Sequence, residues 1–348
     1  MSEFPVNFLF MCRALELTES EHDVHADIIR HVLNEPGFDV NKLTQGRAAL
    51  HVACCDRIRS HVGAQLLLSD ERCNVNLQNY SESTALMMAV RLVEFEDDKH
   101  ARIIRLLLAH PRIEVNKSET MGITALHVAC DDGIQSHVGA QLLLSDERCD
   151  VNLSEYRDGV FPLMTAVRYV KSEDDKHAKI VRLLLAHPRI NVNHKGGRNN
   201  ETALHVACKN GIKSHAGAQL LLSHDRCDVN EHDDSGLTAL MKVANMAQSK
   251  SDAYGQIMQI LLQRPDIDIN KLNPRYNSHA LFYLLSELAH EFSSSSEELD
   301  VLKLLLNHGA DPNVPAHLLA RAVNFCSLDV CRELLQHGAD PNSAFSNT

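Results

Sequence analysis

Thr124–Asn152 reads TALHVACDDGIQSHVGAQLLLSDERCDVN, and the chain writes this stretch three times. Residues 48–76 (AALHVACCDRIRSHVGAQLLLSDERCNVN) and 202–230 (TALHVACKNGIKSHAGAQLLLSHDRCDVN) are near copies. Between the copies stands a longer unit, TALMMAVRLVEFEDDKHARIIRLLLAHPRIEVN at 84–116. It recurs at 161–193 (FPLMTAVRYVKSEDDKHAKIVRLLLAHPRINVN) and more loosely at 238–270. A self-similar spacing of 36 to 41 residues is the pattern of a solenoid.

Each unit carries the signals of two helices. Thr124 can cap a first helix, on which Leu126, Val128 and Ala129 form an apolar face. Asp131-Asp132-Gly133 ends it, with Gly133 suited to a left-handed closing residue. Ser136 can cap a second helix running to Leu144, where Val138, Leu142 and Leu143 recur at helical spacing. One such hairpin cannot bury both its faces, so stacked neighbours must supply the missing surface.

This pattern resembles the ankyrin repeat. The likeness rests on the TALH start (Thr124–His127), the break at Gly133, the run Leu142-Leu143-Leu144 and the closing Asp-Val-Asn. The endings HGADPN at 308–313 and 337–342 are similar to the family's usual ending. The resemblance implies an all-α ankyrin-repeat solenoid of about nine helix-turn-helix units with hairpin or loop fingers. It is expected to form one domain over 1–348, with units at 7–41, 48–76, 84–116, 124–152, 161–193, 202–230, 238–270, 279–313 and 316–342. Two departures stand out: the units are longer than the consensus, and Arg-Cys or Arg-Ile replaces Gly-Ala before the closing Asp-Val-Asn.

The two unit classes differ where they should pack. Ile103-Ile104 and Ile180-Val181 in the longer class face Gly63-Ala64, Gly139-Ala140 and Gly217-Ala218 in the shorter. Bulky side chains of one second helix are therefore expected to fill space left by the next. In the first unit, Phe8–Leu17 and His25–Leu33 are the expected helices, with Phe4, Phe8 and Phe10 covering the open end. Ser293–Ser296 reads as a local loop and Ser343–Thr348 as a frayed tail.

Composition limits the function. Net charge is −12, which opposes binding to phosphate backbones. No apolar run reaches the ~18 residues of a membrane span, and Phe8–Met11 lacks the basic flank of a signal peptide. Most of the ten cysteines recur in register, such as Cys54, Cys130 and Cys208. They read as small packing residues in a reducing, cytoplasmic setting.

Candidate chemistry is sparse. His127 and Cys130 sit one helical turn apart, as do His51/Cys54 and His205/Cys208. The copies are a whole unit apart, too far to share one ion, and zinc usually needs four ligands. The resemblance implies a structural histidine at His127 that hydrogen-bonds near the fingers. No Walker, dinucleotide or HExxH motif is present. No catalytic residue, metal ligand or cofactor is therefore assigned. The closing asparagines (Asn76, Asn116, Asn152, Asn230) resemble positions that asparaginyl hydroxylases modify in ankyrin proteins; the plainer reading is a turn hydrogen bond at the finger base.

The connections between units vary while the framework repeats, and variable loops on a rigid scaffold are common contact positions. Three of the six tyrosines fall there. The expected partner-binding residues are Tyr80, Lys117, Met121, Tyr156, Arg157, Lys195, Arg198, Arg275 and Tyr276, since aromatic and arginine side chains anchor interfaces. The longer class also carries acidic inserts: Glu94, Glu96, Asp97 and Asp98, then Glu173, Asp174 and Asp175, with Glu19, Glu21 and Asp23 in the matching place. They read either as solvated loops beside a helix N-terminus or as a surface for a basic partner.

The sequence thus points to a non-catalytic, monomeric scaffold that binds a protein partner through its concave face and fingers. Its tandem duplications are also similar to ankyrin effectors of intracellular bacteria, which would place it in a host cytosol, and equally to protist and viral repeats. Two further readings are an enzyme with a cryptic Cys/His site, and RNA or nucleotide binding through Lys195 and Arg198.

Overall fold

The computed structural model describes residues 6–209, 215–246, 252–288 and 296–342. Phe4, Ser293–Ser295 and Ser343–Thr348 lie outside them. Among the described residues the regular structure is helical, and the only strand-like pairings are isolated bridges such as Thr44 with Arg47 and Gln78 with Thr84. The chain divides into two compact parts. One runs up to Tyr169 and includes Ala186–Ile190; the other comprises Val170–Leu185 and residues from 191 on.

The first part holds α1 (Val6–Leu17), α2 (Val24–Leu33), α3 (Ala49–Val52), α4 (Val62–Leu68), α5 (Ala85–Leu92), α6 (Lys99–Ala109), α7 (Ala125–Cys130), α8 (Val138–Leu144) and α9 (Pro162–Arg168). The odd-numbered helices pack in succession as one layer, and α2, α4, α6 and α8 as a second. The other part holds α10 (Lys176–Ala186), α11 (Ala203–Lys209), α12 (Ala216–Leu222), α13 (Ala239–Ala244), α14 (Asp252–Leu262), α15 (Ala280–Leu288), α16 (Ser296–Asn307), α17 (Leu318–Phe325) and α18 (Leu328–Gln336). There α11, α13, α15 and α17 form one row, and α12, α14, α16 and α18 another. Within each part these are the paired rows of an all-α ankyrin-repeat array.

In α6 the apolar spacing works as expected: Ile103, Ile104 and Leu107 are fully buried, each worth about 1.5–3 kcal/mol on leaving water. The glycines of the shorter class have a different neighbour from the one expected. A Cβ on Gly139 would lie 3.0 Å from Val90 Cγ1 and from the Val90 carbonyl oxygen, and 3.3 Å from Val93 Cγ1. On Gly63 it would meet Leu15 Cδ2 at 2.9 Å. The small residue thus lets a second helix approach the end of the preceding unit's first helix, not its isoleucines. Serine hydroxyls complete this junction. Ser136 Oγ donates to the Val93 carbonyl at 2.9 Å and Ser60 Oγ to that of Thr18 at 2.8 Å. Helix α8 begins at Val138, so Ser136 acts mainly as this tie rather than as the N-cap.

Other helix ends also differ from expectation. Gly133 is not left-handed; α7 stops at Cys130 because Asp131 is extended, with φ −77° and ψ 161°. Thr124 does not cap through its oxygen but exchanges with its own unit's histidine: its N–H donates to His127 Nδ1 at 3.2 Å, and its hydroxyl lies 2.9 Å from the same nitrogen. Thr84 and Thr238 do cap, accepting from Met87 N–H and Met241 N–H at 3.3 Å. In the first unit Phe8 is buried, whereas Phe10 is 59% exposed and covers nothing.

The acidic inserts are organised around one carboxylate each. Asp98 accepts from the N–H groups of Ala101 (2.6 Å), Glu94 (2.6 Å) and Phe95 (3.4 Å). Asp23 makes the same set with Ala26, Glu19 and Ser20, and Asp175 with Ala178, Lys171 and Ser172. Burial alone would raise the Asp23 carboxyl, but those N–H groups outweigh it and hold it down at about 2. An arginine at the seventh position of the helix, Arg30, Arg105 or Arg182, donates to a loop carbonyl. These acids build the loop, and the plainer reading of them is the one the geometry favours.

The closing Arg-Cys/Ile-Asp-Val-Asn explains the departure from the family ending. Arg72 Nη2 donates to the Leu33 carbonyl and Arg148 Nη2 to that of Leu108, both at 2.6 Å. Each guanidinium thereby caps the second helix of the preceding unit, where carbonyls lack partners and cations are favoured. In the longer class Arg112 reaches the carbonyls of Glu71 and Cys73. The units ending HGAD instead close their own helix with left-handed glycines, Gly309 (φ 91°) and Gly338 (φ 88°). Ala310 N–H then reaches Leu305 O at 3.1 Å and Ala339 N–H reaches Leu334 O at 3.0 Å.

Candidate functional site

The fingers stack through their backbones. Tyr80 N–H donates to the Gly46 carbonyl at 3.0 Å, and Tyr156 N–H to that of Met121 at 2.8 Å. Gly46 and Gly122 have φ of 82°, and a Cβ on either would strike the following tyrosine ring at about 2.9–3.0 Å. The tyrosines still present most of their surface: Tyr80 is 77% exposed, Tyr156 75% and Tyr276 68%.

Below these tips, in the first part of the chain, lies a cleft of about 710 Å³. Its floor comes from the first helices: Met88 and Leu92 of α5, Val128 of α7, and Thr165 of α9 with Tyr169 beyond it. One wall comes from the fingers, with Ser83, Met121, Ile123 and Val160. Four arginines line it, Arg47, Arg91, Arg157 and Arg168, alongside Glu119, Glu155, Asp131 and Asp158. Among the described residues none of these arginines has an ion-pair partner within 4 Å. Burial and the neighbouring Glu82 carboxylate push the Glu119 carboxyl up, against the pull of Arg91.

Of the expected contact residues, Met121 and Arg157 line this cleft. Lys117 sits in a separate hollow with Asn116 and Arg148, paired to Glu114 at 3.1 Å. In the other part of the chain, Lys195 pairs with Glu231 at 2.5 Å, Arg198 is exposed, and Arg275 donates to the Asp234 carbonyl beside exposed Tyr276. The sequence reading missed Met88, Leu92, Arg91 and Arg168. The signal for them was available: these positions lie in the copied framework, on the helix face left over once the buried residues are assigned.

A second feature escaped the sequence reading. Lys242 on α13 is 9% exposed, with its Nζ 2.5 Å from Glu201 Oε1 and 2.8 Å from Asp233 Oδ2. Its counterparts in the other copies are Met88 and Thr165. Asp233 also accepts from the N–H groups of Ser235 and Leu237. One ammonium therefore ties two successive fingers, through Glu201 and Asp233.

The histidines and cysteines serve the framework. Nε2 of His51, His127 and His205 lies 3.0, 3.3 and 3.0 Å from the carbonyls of Leu77, Val160 and Leu237, in the following finger. That is the structural role the resemblance implied. Burial lowers all three, and His127 falls to about 4. Burial raises the Cys54, Cys130 and Cys208 thiols, disfavouring the nucleophilic thiolate. Among the described residues no group of three or more His, Cys, Asp or Glu is arranged to hold a metal ion. Among those residues no helix is long and apolar enough to cross a membrane.

The closing asparagines bond across to the next unit rather than within their own finger. Asn76 Nδ2 donates to the Arg112 carbonyl at 2.7 Å while its Oδ1 accepts from Glu114 N–H at 2.8 Å. Asn41 treats Arg72 and Asn74 in the same way, and Asn230 treats Asp266 and Asp268.

The match to a family model agrees with this architecture. Residues 19–119, 92–196 and 172–273 each match the family model described as ankyrin repeats (3 copies). Among solved structures, the crystal structure of EF0377, an ankyrin repeat protein, is 20% identical with a TM-score of 0.47. That alignment covers 59% of this chain and 90% of the other.

Proposed function

The chain belongs to the ankyrin-repeat family, whose repeats are in general protein–protein interaction modules, and on that premise we propose that it is a non-catalytic scaffold for a protein partner. The observation that carries this reading is the cleft between first helices and fingers, with its part-exposed apolar floor of Met88 and Leu92 and its polar rim. An apolar centre with arginines and aromatics around it is the composition of an interface core. Tyr80, Met121, Tyr156 and Arg157 would form the finger side of the contact, and Lys117, Lys195, Arg198, Arg275 and Tyr276 would extend it. The buried, protonated thiols and carbonyl-bonded histidines favour binding over catalysis, and suit a monomer working in a reducing cytoplasm.

The test is affinity capture from cytosol with three baits: wild type, Met88→Glu/Leu92→Glu, and Tyr80→Ala/Tyr156→Ala. Partners held by this face should be lost from the first variant and weakened in the second, with melting temperatures close to wild type. Partners captured equally by all three would sink the assignment of this face.

A further inference from the structure

One helix register carries charge across three successive hairpins in the first part of the chain. Arg91 lies in the last turn of α5, Asp131 directly follows α7, and Arg168 closes α9. Each is the seventh residue after the residue preceding its helix: Thr84, Thr124 and Phe161. Because α5, α7 and α9 pack in that order, the two arginines stand two interaxial distances apart, roughly 16–20 Å. Met88 and Val128 lie on the floor along this stretch.

Three of the four acids of this cleft have partners of their own, while among the described residues its arginines have no carboxylate within ion-pair distance, although Arg91 draws on Glu119 and Arg168 bonds Tyr169. Glu155 accepts from the Asp158 N–H at 3.1 Å, and Asp131 and Asp158 have partners of their own. In a chain of net charge −12, these arginines are local cations that the protein's own carboxylates leave unpaired. A densely charged polyanion would crowd Glu119, Glu155 and Asp158. A segment with two well-spaced carboxylates would meet the arginines and avoid those acids.

Building on the reading of this face as a binding surface, we infer that the cleft takes an extended acidic–apolar segment of a partner protein. One carboxylate meets Arg91, a second meets Arg168, and apolar side chains between them cover Met88 and Val128. At about 3.3 Å per residue, the 16–20 Å gap corresponds to acidic residues roughly five or six positions apart. Guanidinium groups pair with carboxylates bidentately, so the arginines fix register as well as sign.

The experiment is selection of displayed random 12-residue peptides against the full chain, in wild-type, R91E/R168E and Met88→Glu forms. Wild type should enrich peptides with two acidic residues five or six apart and apolar residues between. Those peptides should bind R91E/R168E at least about tenfold more weakly, and selection on that variant should enrich Lys or Arg instead. An R91Q/R168Q form, which removes charge without reversing it, should weaken binding with unchanged melting. Peptides lost on Met88→Glu but lacking the acidic pair would overturn this inference and leave the binding face standing. Peptides indifferent to all the variants would overturn both. Equal competition by a single-stranded oligonucleotide of matched charge would overturn the peptide assignment.

Discussion

Asn116 and Arg148 are joined side chain to backbone: Asn116 Nδ2 donates to the Arg148 carbonyl at 2.8 Å. Its Oδ1 accepts from the N–H of Asp150 at 2.9 Å, two residues on. The amide thus acts as one more peptide group, paired to the start of the next unit's closing turn. The same two-point bond recurs at Asn193 with Arg226 and Asp228, and at Asn270 with Gly309 and Asp311.

Asn116→Ala removes both bonds without touching a buried apolar contact. Each hydrogen bond is worth about 0.5–1.5 kcal/mol net, so urea denaturation should show a loss of about 1–3 kcal/mol. Asn116→Asp keeps the acceptor and loses the donor, and should be intermediate.

Gly139→Ala should destabilise even though it replaces glycine in a helix. The new Cβ would meet the Val90 carbonyl oxygen at 3.0 Å, which is backbone and cannot swing aside. Overpacking of this kind costs about 1–3 kcal/mol, and Gly139→Ile should cost more. Gly133→Ala is the matched control: its nearest atom is 3.9 Å away and its φ is not positive, so thermal melting should hardly move.

Lys242→Met installs the residue of the sibling copy but leaves Asp233 buried without its cation and Glu201 with only the more distant Lys209, at 3.9 Å. Breaking a buried pair typically costs about 3–5 kcal/mol. Neutralising all three positions at once, as K242M/E201Q/D233N, should recover much of that loss in equilibrium unfolding. Burial works against the charge on Asp233, but its bonds to Lys242 prevail and hold its carboxyl below the usual range. Its contribution is therefore present above the unfolded value of 3.8 and is lost as pH falls through the folded one.

Mild acid should destabilise the chain through its buried histidines. Burial, against the pull of the Val160 carbonyl, lowers His127 from 6.5 to about 4. Between those values the unfolded imidazole takes up a proton that the folded one refuses, so stability falls as pH drops from 6.5 toward 4. From about pH 6.5 to about pH 5 this one group accounts for roughly 1.5 kcal/mol. A flat melting temperature across that range would contradict the assignment. His127→Asn should flatten the profile relative to wild type.

Repetition made the architecture legible. The position of each helix pair follows from the spacing of Leu runs and the TALH starts, because a stacked unit must keep its buried face in every copy. The bonds between units were harder to read. Arg148 and Asn116 reach backbone atoms more than 30 residues away, and backbone acceptors leave no trace in side-chain identity. Gly139 was read as small for the wrong neighbour, since sequence pairs second helices with second helices while space brings in Val90. At the candidate site the varying loops drew attention to Tyr80 and Tyr156, whereas Met88, Arg91 and Arg168 lay unnoticed in the copied framework.

Because each asparagine grips its successor chiefly through main-chain atoms, with Glu114 Oε1 an added acceptor for Asn76, the joint makes little demand on which residues come next. A gene segment coding one short and one long unit could be gained or dropped in frame, and the seam would still close. Chain length would then be free to vary while the fingers at the insertion diverge, which makes the clasp at the base of each finger a licence for rapid change at its tip.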